Sequence, residues 1–282
     1  PVRPGVVRGV PGVRPAPARD LVFPPGIRVS ELRRLRDRLM RQGQVAAALQ
    51  AALEVARRDP GRESYTRLGS AQYGVGRYRE ALITLRDALR FREGPAYLVP
   101  DIHVHVAQIW YHLGRYKRAD EALRRAGAAR PKPRANYNLR LVAGNIAMAR
   151  DRNEEAVEEF QRAVAEARSA PQRLRARMNE GFALIRCRRH AEALESLEEA
   201  IQVARRKGER LGLALARGAK GWAYVEGGQL ARALRASRLA ADECGRLGVP
   251  LRECEFLGRA AYVLWQMGRW EEARQIYPRV LT

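Results

Sequence analysis

From Val29 onward, apolar residues recur at three- and four-residue spacing, and runs of β-branched residues are scarce. This period matches the turn of an α-helix, so the pattern predicts one amphipathic helix after another. Residues 1–28 differ, because seven prolines and four glycines exclude a helix interior there. We therefore expect an all-α body at residues 29–282 and a basic, irregular leader at residues 1–28. The leader is expected either to be flexible or to lie on the body through Leu21, Val22 and Phe23.

The helical pattern also repeats along the chain. Seven segments align without gaps, and each carries an alanine at the same register: Ala48, Ala81, Ala119, Ala156, Ala193, Ala233 and Ala273. The intervals between these alanines are 33, 38, 37, 37, 40 and 40 residues. A second small residue follows seven positions later in most copies, which is two helical turns, so both face a neighbouring helix.

Each segment is preceded by another helix and a turn. Twelve positions before the alanine the earlier helix carries Arg36, Gly69, Ala107, Gly144, Gly181, Gly221 or Ala261, of which only the arginine is large. The turn residues are Gly43, Gly76, Gly114, Asp151, Arg188, Gly228 and Gly268. Glycine suits this position because a helix end favours a residue with left-handed backbone. The sequence therefore predicts about seven helix-turn-helix pairs.

The pattern resembles the tetratricopeptide repeat family, most clearly in Tyr65, Leu68, Gly69, Tyr73, Gly76, Tyr78, Ala81 and Ala88. The resemblance covers residues 29–282 and implies a solenoid that winds into a right-handed superhelix. Most intervals exceed the family's usual length of about 34 residues. We therefore expect helices longer by about one turn, or extended loops, as in the sensor regions of bacterial transcriptional regulators.

The charge of the chain is high and unevenly distributed. It has 53 basic and 31 acidic residues, with 29 basic and 12 acidic among residues 1–150 and 24 and 19 in the remainder. Charged residues interrupt every long apolar run, which excludes a membrane-spanning helix, and residues 1–18 lack the apolar block of a secretory signal. We expect a cytoplasmic protein, in which Cys187, Cys244 and Cys254 are reduced, buried thiols.

Residues with catalytic or metal-binding chemistry do not form a recognisable arrangement. We find no nucleophile with a positioned base and no glycine-rich phosphate loop between a strand and a helix. His105 and His112 lie two helical turns apart, about 10 Å, which is too far for one zinc ion. The sequence therefore predicts that the protein is not an enzyme and has no cofactor or metal site.

The family resemblance implies that the first helix of each pair lines a concave groove. The position after the small residue then supplies Asp37, Ser70, Gln108, Asn145, Phe182, Trp222 and Tyr262. The position three residues further on supplies Met40, Tyr73, Tyr111, Met148, Ile185, Val225 and Trp265. Amide side chains can bind a peptide backbone, and the aromatic rings can seat apolar side chains. Alternatively, several of these residues simply pack between helices or against the leader.

Cations also cluster around the turn inside each pair. They are Arg41, Arg77, Arg79, Arg115, Lys117, Arg118, Arg150, Arg152, Arg186, Arg188, Arg189 and Arg269. Stacked copies would align them in a basic ridge that could follow a phosphate backbone or an acidic protein. Acidic residues among them, such as Glu80 and Glu154, would neutralise part of this ridge. A second basic cluster comprises Arg124, Arg125, Arg130, Lys132 and Arg134.

These features predict a non-enzymatic scaffold or sensor that binds a protein or peptide in a bacterial regulatory or assembly system. The alternative is a nucleic-acid-associated protein that uses the leader and the basic ridge, and its binding would depend strongly on salt. A third reading is an adaptor that self-associates through its last repeat. There no polar capping helix follows, and Tyr277, Val280 and Leu281 would form an exposed edge.

Overall fold

The structure is a computed structural model that describes residues 23–24, 26–42, 44–129 and 133–281. For residues 41, 133–135 and 277–281 it describes the backbone only. Several predicted features therefore lie outside the described residues: Leu21 and Val22 of the leader, the turn at Gly43, Arg130 and Lys132, and the side chains of Arg41, Arg134, Tyr277, Val280 and Leu281.

Within the described part of the chain the regular structure consists of fourteen α-helices and no strand, which confirms the all-α prediction of seven helix pairs. The first seven helices are α1 (Val29–Arg41), α2 (Val45–Arg58), α3 (Arg62–Gly74), α4 (Tyr78–Arg90), α5 (Leu98–His112), α6 (Tyr116–Ala128) and α7 (Pro133–Ala149). The others are α8 (Asn153–Glu166), α9 (Ala170–Arg186), α10 (His190–Lys207), α11 (Arg210–Glu226), α12 (Leu230–Arg246), α13 (Pro250–Gln266) and α14 (Trp270–Leu281).

The helices form two compact units, an N-terminal unit of residues 1–142 and a C-terminal unit of residues 143–282. The boundary between the units falls within α7. In the N-terminal unit successive helices from α1 to α6 pack on one another, and in the C-terminal unit those from α8 to α14 do the same. The first helices of successive pairs also touch, as α3 touches α5 in the N-terminal unit and α9 touches α11 in the C-terminal unit. Each unit is therefore built of two layers, with first helices in one layer and second helices in the other.

The repeated alanines and glycines pack the two helices of a pair closely. Six of the seven alanines at the repeated register are fully buried, and Ala273 is nearly so. A Cβ atom on Gly69, Gly144 or Gly181 would lie 2.5–2.6 Å from a side-chain carbon of Leu85, Phe160 or Leu197, each sixteen residues later. In the first pair Arg36 replaces the small residue and is buried, and the residue sixteen positions later is Ala52.

The predicted turn positions adopt the expected backbone. Gly76, Gly114, Gly228 and Gly268 have φ between 69° and 81°. Asp151 and Arg188, which lack glycine's freedom, adopt the same left-handed conformation with φ of 59° and 62°. A non-glycine residue in this region costs about 1–2 kcal/mol, so the turn geometry is imposed by the packing of the helices on either side.

Both predicted causes of the long repeats occur, at different places. In the C-terminal unit, helices α9 to α13 are 17 or 18 residues long, whereas α3, α4 and α6 have 13. In the N-terminal unit, the 38-residue interval contains an extended loop at residues 91–97. The buried Arg62 fixes this loop, because its guanidinium donates to the carbonyl oxygens of Phe91 and Gly94.

Candidate interaction surfaces

The C-terminal unit carries an amide pair on α9 and on the part of α7 that follows the boundary between the units. Asn145 on α7 and Asn179 on α9 are half-buried, and Asn179 Nδ2 donates to Asn145 Oδ1 at 3.3 Å. Phe182, one turn after Asn179 on α9, is also half-buried. Residues three apart on a helix share a face, so the amide pair and the phenyl ring lie side by side on this layer.

Trp222 on α11 is held by an arginine of the next first helix. The guanidinium carbon of Arg259 lies 5.5 Å from the centroids of both the Trp222 and Phe256 rings. Arg259 also donates to the Gly218 carbonyl oxygen and pairs with Glu255 at 3.3 Å. Burial lowers the pKa of Arg259, and Glu255 opposes that shift. The Arg259 guanidinium thus lies near two rings and also has a hydrogen-bond acceptor and a carboxylate partner. These contacts fix the position of the Trp222 indole beside it.

Exposed aromatic rings continue this surface onto α13. Tyr262 is 41% exposed and Trp265 is 59% exposed, and their rings stack with centroids 6.3 Å apart. Gln266 Nε2 donates to the Tyr262 hydroxyl at 2.9 Å. Beside them is an open pocket of about 590 Å³, lined by Val225, Gly228, Leu230, Trp265, Gln266, Gly268 and Trp270. The pocket presents apolar rings flanked by one amide.

In the N-terminal unit the predicted groove residues join other contacts. The Tyr73 hydroxyl forms a hydrogen bond with His112 Nε2 at 2.9 Å, and Tyr111 meets the same imidazole edge to face. Gln108 Oε1 lies 3.2 Å from His105 Nδ1. Burial lowers the pKa of both histidines, and the Gln108 bond partly opposes the shift at His105. Both shifts favour the neutral form of the imidazole ring.

The second set of predicted groove positions, three residues after the first set, is only partly exposed to solvent. Ile185 and Val225 are buried, whereas Trp265 at the same register is exposed. Two residues of the C-terminal surface were not predicted from the sequence, namely Asn179 and Arg259. Asn179 lies three residues before Phe182, and Arg259 lies three residues before Tyr262. Residues three apart share a helix face, so this spacing could have identified both from the sequence.

The predicted basic ridge is largely paired in the C-terminal unit. Arg186 pairs with Asp151 and donates to Asn153 Oδ1 at 2.9 Å. Arg189 pairs with Glu154 at 2.9 Å, so two arginines at the fifth pair bind acceptors at the turn of the fourth. Three further ion pairs join residues three apart where a second helix begins, each at 2.6 Å: Arg189–Glu192, Arg152–Glu155 and Arg269–Glu272. Arg150 also has an interaction partner, whereas Arg188 is exposed at its strained turn.

The ridge cations of the N-terminal unit are mostly unpaired. Arg77 lies 3.6 Å from Glu80, and the Arg118 guanidinium carbon lies 4.8 Å from the centroid of the Trp110 ring. Arg79, Arg115 and Lys117 are exposed and form no ion pair with any described residue. The charges of Arg79, Arg115 and Lys117 are therefore available to a partner, in contrast to the paired cations of the C-terminal ridge.

The thiols and acidic groups do not form a reactive centre in the described ranges. Cys244 is buried as predicted, whereas the prediction was wrong for Cys187 and Cys254, which are half-buried. Desolvation and a hydrogen bond with Glu154 raise the pKa of Cys187 to about 11, and desolvation also raises the pKa of Cys244. Among the described residues no three His, Cys, Asp or Glu side chains are close enough to hold a metal ion. None of the described helices has the length and apolar character needed to cross a membrane.

Comparisons with known proteins agree with this architecture. A family model described as tetratricopeptide repeat matches residues 37–97, 66–133 and 141–210. The chain is similar in structure to apo RapI, at 13% identity and a TM-score of 0.69, over 89% of this chain and 75% of that one. It is also similar to a Rap protein complexed with competence and sporulation factor, at 12% identity and a TM-score of 0.66, over 90% and 75% of the two chains.

A third similar structure is a signal transduction ATPase with numerous domains from Pyrococcus horikoshii, which has a tetratricopeptide repeat sensor. It is 12% identical with a TM-score of 0.73, over 90% of this chain and 39% of that one. At these identities the likeness concerns the fold. No curated protein sequence matches the chain.

Proposed function

The chain belongs to the tetratricopeptide repeat family, and we propose that it is a non-enzymatic module that binds a protein or peptide segment within a bacterial regulatory or assembly system. The observation that carries this proposal is the surface on the first helices of the C-terminal unit. There an amide pair lies beside Phe182, and the next first helices add Trp222 and Tyr262. The Rap complex with a bound factor and the sensor of the Pyrococcus protein support a binding role for this fold.

The amide pair has the polarity that a peptide backbone requires. The bond between Asn179 Nδ2 and Asn145 Oδ1 uses one donor and one acceptor. The other amide groups, Asn145 Nδ2 and Asn179 Oδ1, supply a second donor and acceptor. A peptide unit offers a carbonyl acceptor and an N–H donor, so an extended segment can bond to both asparagines at once.

The aromatic residues supply apolar contact area on either side of that segment. Trp222 is held by Arg259, so little side-chain entropy is lost when a ligand packs against the indole. Tyr262 and Trp265 stack on one another and are likewise restricted before binding. We therefore expect a preferred ligand whose residues at the amide pair are uncharged. The residues next to them should have apolar or aromatic side chains.

Selection of binders from a random library of 12-residue peptides, followed by fluorescence anisotropy on the best binder, tests the proposal. Asn145→Ala and Phe182→Ala should each weaken binding about tenfold or more, the loss typical of central interface residues. Leu239→Ala, an exposed apolar residue on α12, is the matched control and should have no effect. The proposal fails if the surface variants bind as tightly as the parent protein, or if only the Leu239 variant loses affinity.

A further inference from the structure

We propose that the N-terminal unit carries a separate surface for single-stranded nucleic acid, formed by the turns of the second and third helix pairs. Its rings are Tyr73, Tyr78, Tyr111, His112 and Tyr116, and its cations are Arg79, Arg115 and Lys117. We call this set the aromatic turn surface. It shares no residue with the peptide surface of the C-terminal unit, so the two proposals stand or fall independently.

The rings connect one turn to the next. Tyr78, the first residue of α4, stacks on His112 with ring centroids 5.8 Å apart and planes within 10°. His112 meets Tyr111 at 5.2 Å, and Tyr111 meets Tyr116, the first residue of α6, at 6.1 Å. His112 is the exposed ring of this series, and the four tyrosines are half-buried. Partial desolvation of the imidazole lowers the pKa of His112, which favours the neutral ring.

Such a series suits a strand with unstacked bases. Non-specific single-strand binding proteins place successive bases on aromatic side chains inside a positively charged groove, because every base has a face that can stack. In a duplex the base faces are covered by neighbouring base pairs, and an acidic peptide has carboxylates but few stacking groups. Rings and cations together therefore favour a single strand over both other polyanions.

The cations of the aromatic turn surface lack ion-pair partners within the described ranges because one position of the repeat differs between helix pairs. Arg79 and Lys117 both follow the tyrosine that begins a second helix, and at the same position the fourth pair has Glu154. Glu154 pairs with Arg189, whereas Arg79 and Lys117 have no ion pair among the described residues. The tyrosine itself is replaced by Asn153 in the fourth pair.

The charge of the surrounding sequence agrees with this assignment. Residues 1–150 contain 29 basic and 12 acidic side chains, so this part of the sequence has a net positive charge. Each phosphate that a lysine or arginine contacts releases condensed counterions, which makes the affinity fall with salt. Arg79, Arg115 and Lys117 should therefore account for a measurable part of the salt dependence of nucleic-acid binding.

The test is fluorescence anisotropy of the full chain with a labelled 20-nucleotide oligothymidine at about 50 and 200 mM salt, a range over which several phosphate contacts lose orders of magnitude in affinity. The triple variant Arg79→Ser, Arg115→Ser, Lys117→Ser should bind at least tenfold more weakly. The slope of log affinity against log salt should fall by about 2, since each single-strand contact contributes about 0.7. His112→Ala should weaken binding about tenfold by removing a stacking ring.

The matched control is Arg205→Ser, Arg206→Ser, Lys207→Ser at the end of α10, which removes the same charge from exposed positions of the other unit. It should leave the affinity unchanged. Three results would overturn the proposal: no binding at the lower salt, equal losses in the two triple variants, or equal binding of a 20-base-pair duplex or polyglutamate with no effect of His112→Ala.

Discussion

Replacing Arg188 by glycine should stabilise the protein, because the native backbone at this turn is strained. Arg188 has φ of 62°, a conformation that costs a non-glycine residue about 1–2 kcal/mol. Glycine removes that cost but loses about 0.5–1 kcal/mol through the greater freedom of the unfolded chain. The side chain is exposed and forms no ion pair with described residues, so its removal costs little. The difference between these two ranges spans about 0–1.5 kcal/mol, and the expected net gain is its middle, about 0.7 kcal/mol.

Urea denaturation followed by far-ultraviolet circular dichroism measures this gain as a higher midpoint with an unchanged slope. Arg235→Gly is the matched control, since Arg235 is an exposed arginine inside α12. Glycine in a helix interior should cost about 1 kcal/mol there. Asp151→Gly should gain less than Arg188→Gly, because Asp151 pairs with Arg186. If Arg188→Gly were as destabilising as Arg235→Gly, backbone strain at the turn would not be the quantity that the substitution changes.

Two further predictions concern helix packing and acid stability. Gly181→Ala should lower the free energy of unfolding by about 1–3 kcal/mol, because the new methyl carbon would lie 2.6 Å from Leu197 Cγ; an unchanged urea midpoint would contradict this close approach. Hydrogen bonds from Arg57 and then Arg58 lower the pKa of Glu54 to about 2, so Glu54 stabilises the folded state above its unfolded pKa of about 4.3 and ceases to do so as the pH falls through 2. Glu54→Gln should therefore lower the melting temperature at pH 7 and leave it unchanged at pH 2, and a constant difference across that range would refute the linkage.

The fold was predictable from the sequence because each structural requirement is repeated several times. Close helix packing demands a small residue at the alanine register, and six other copies support any one of them. The same redundancy identified Asp151 and Arg188 as turn residues although neither is glycine, and both have the left-handed backbone. The division into two units could not be read in this way, because it depends on how densely successive pairs contact one another rather than on which residues recur.

The candidate surfaces were only partly predictable, because side-chain partners lie more than thirty residues apart. The sequence indicated that acids would neutralise part of the basic ridge. It could not show that Arg189 reaches Glu154, 35 residues earlier, or that Arg259 stacks on Trp222. Such contacts depend on the distance between neighbouring pairs and on the rotamers of long side chains, and a helical period specifies neither.

In a repeat architecture each pair contacts mainly its neighbours, so a substitution at one surface position alters the local chemistry and leaves the packing elsewhere intact. The position after the start of the second helix illustrates this. With Glu154 there, the turn forms an ion pair with the next repeat, and with Arg79 or Lys117 the same turn has a free cation. The buried alanines beside these positions, Ala81 and Ala156, have the same burial in both cases. The packing of the scaffold and the two proposed binding surfaces therefore depend on different positions of the repeat, so one fold can accommodate both proposed surfaces, one in each unit.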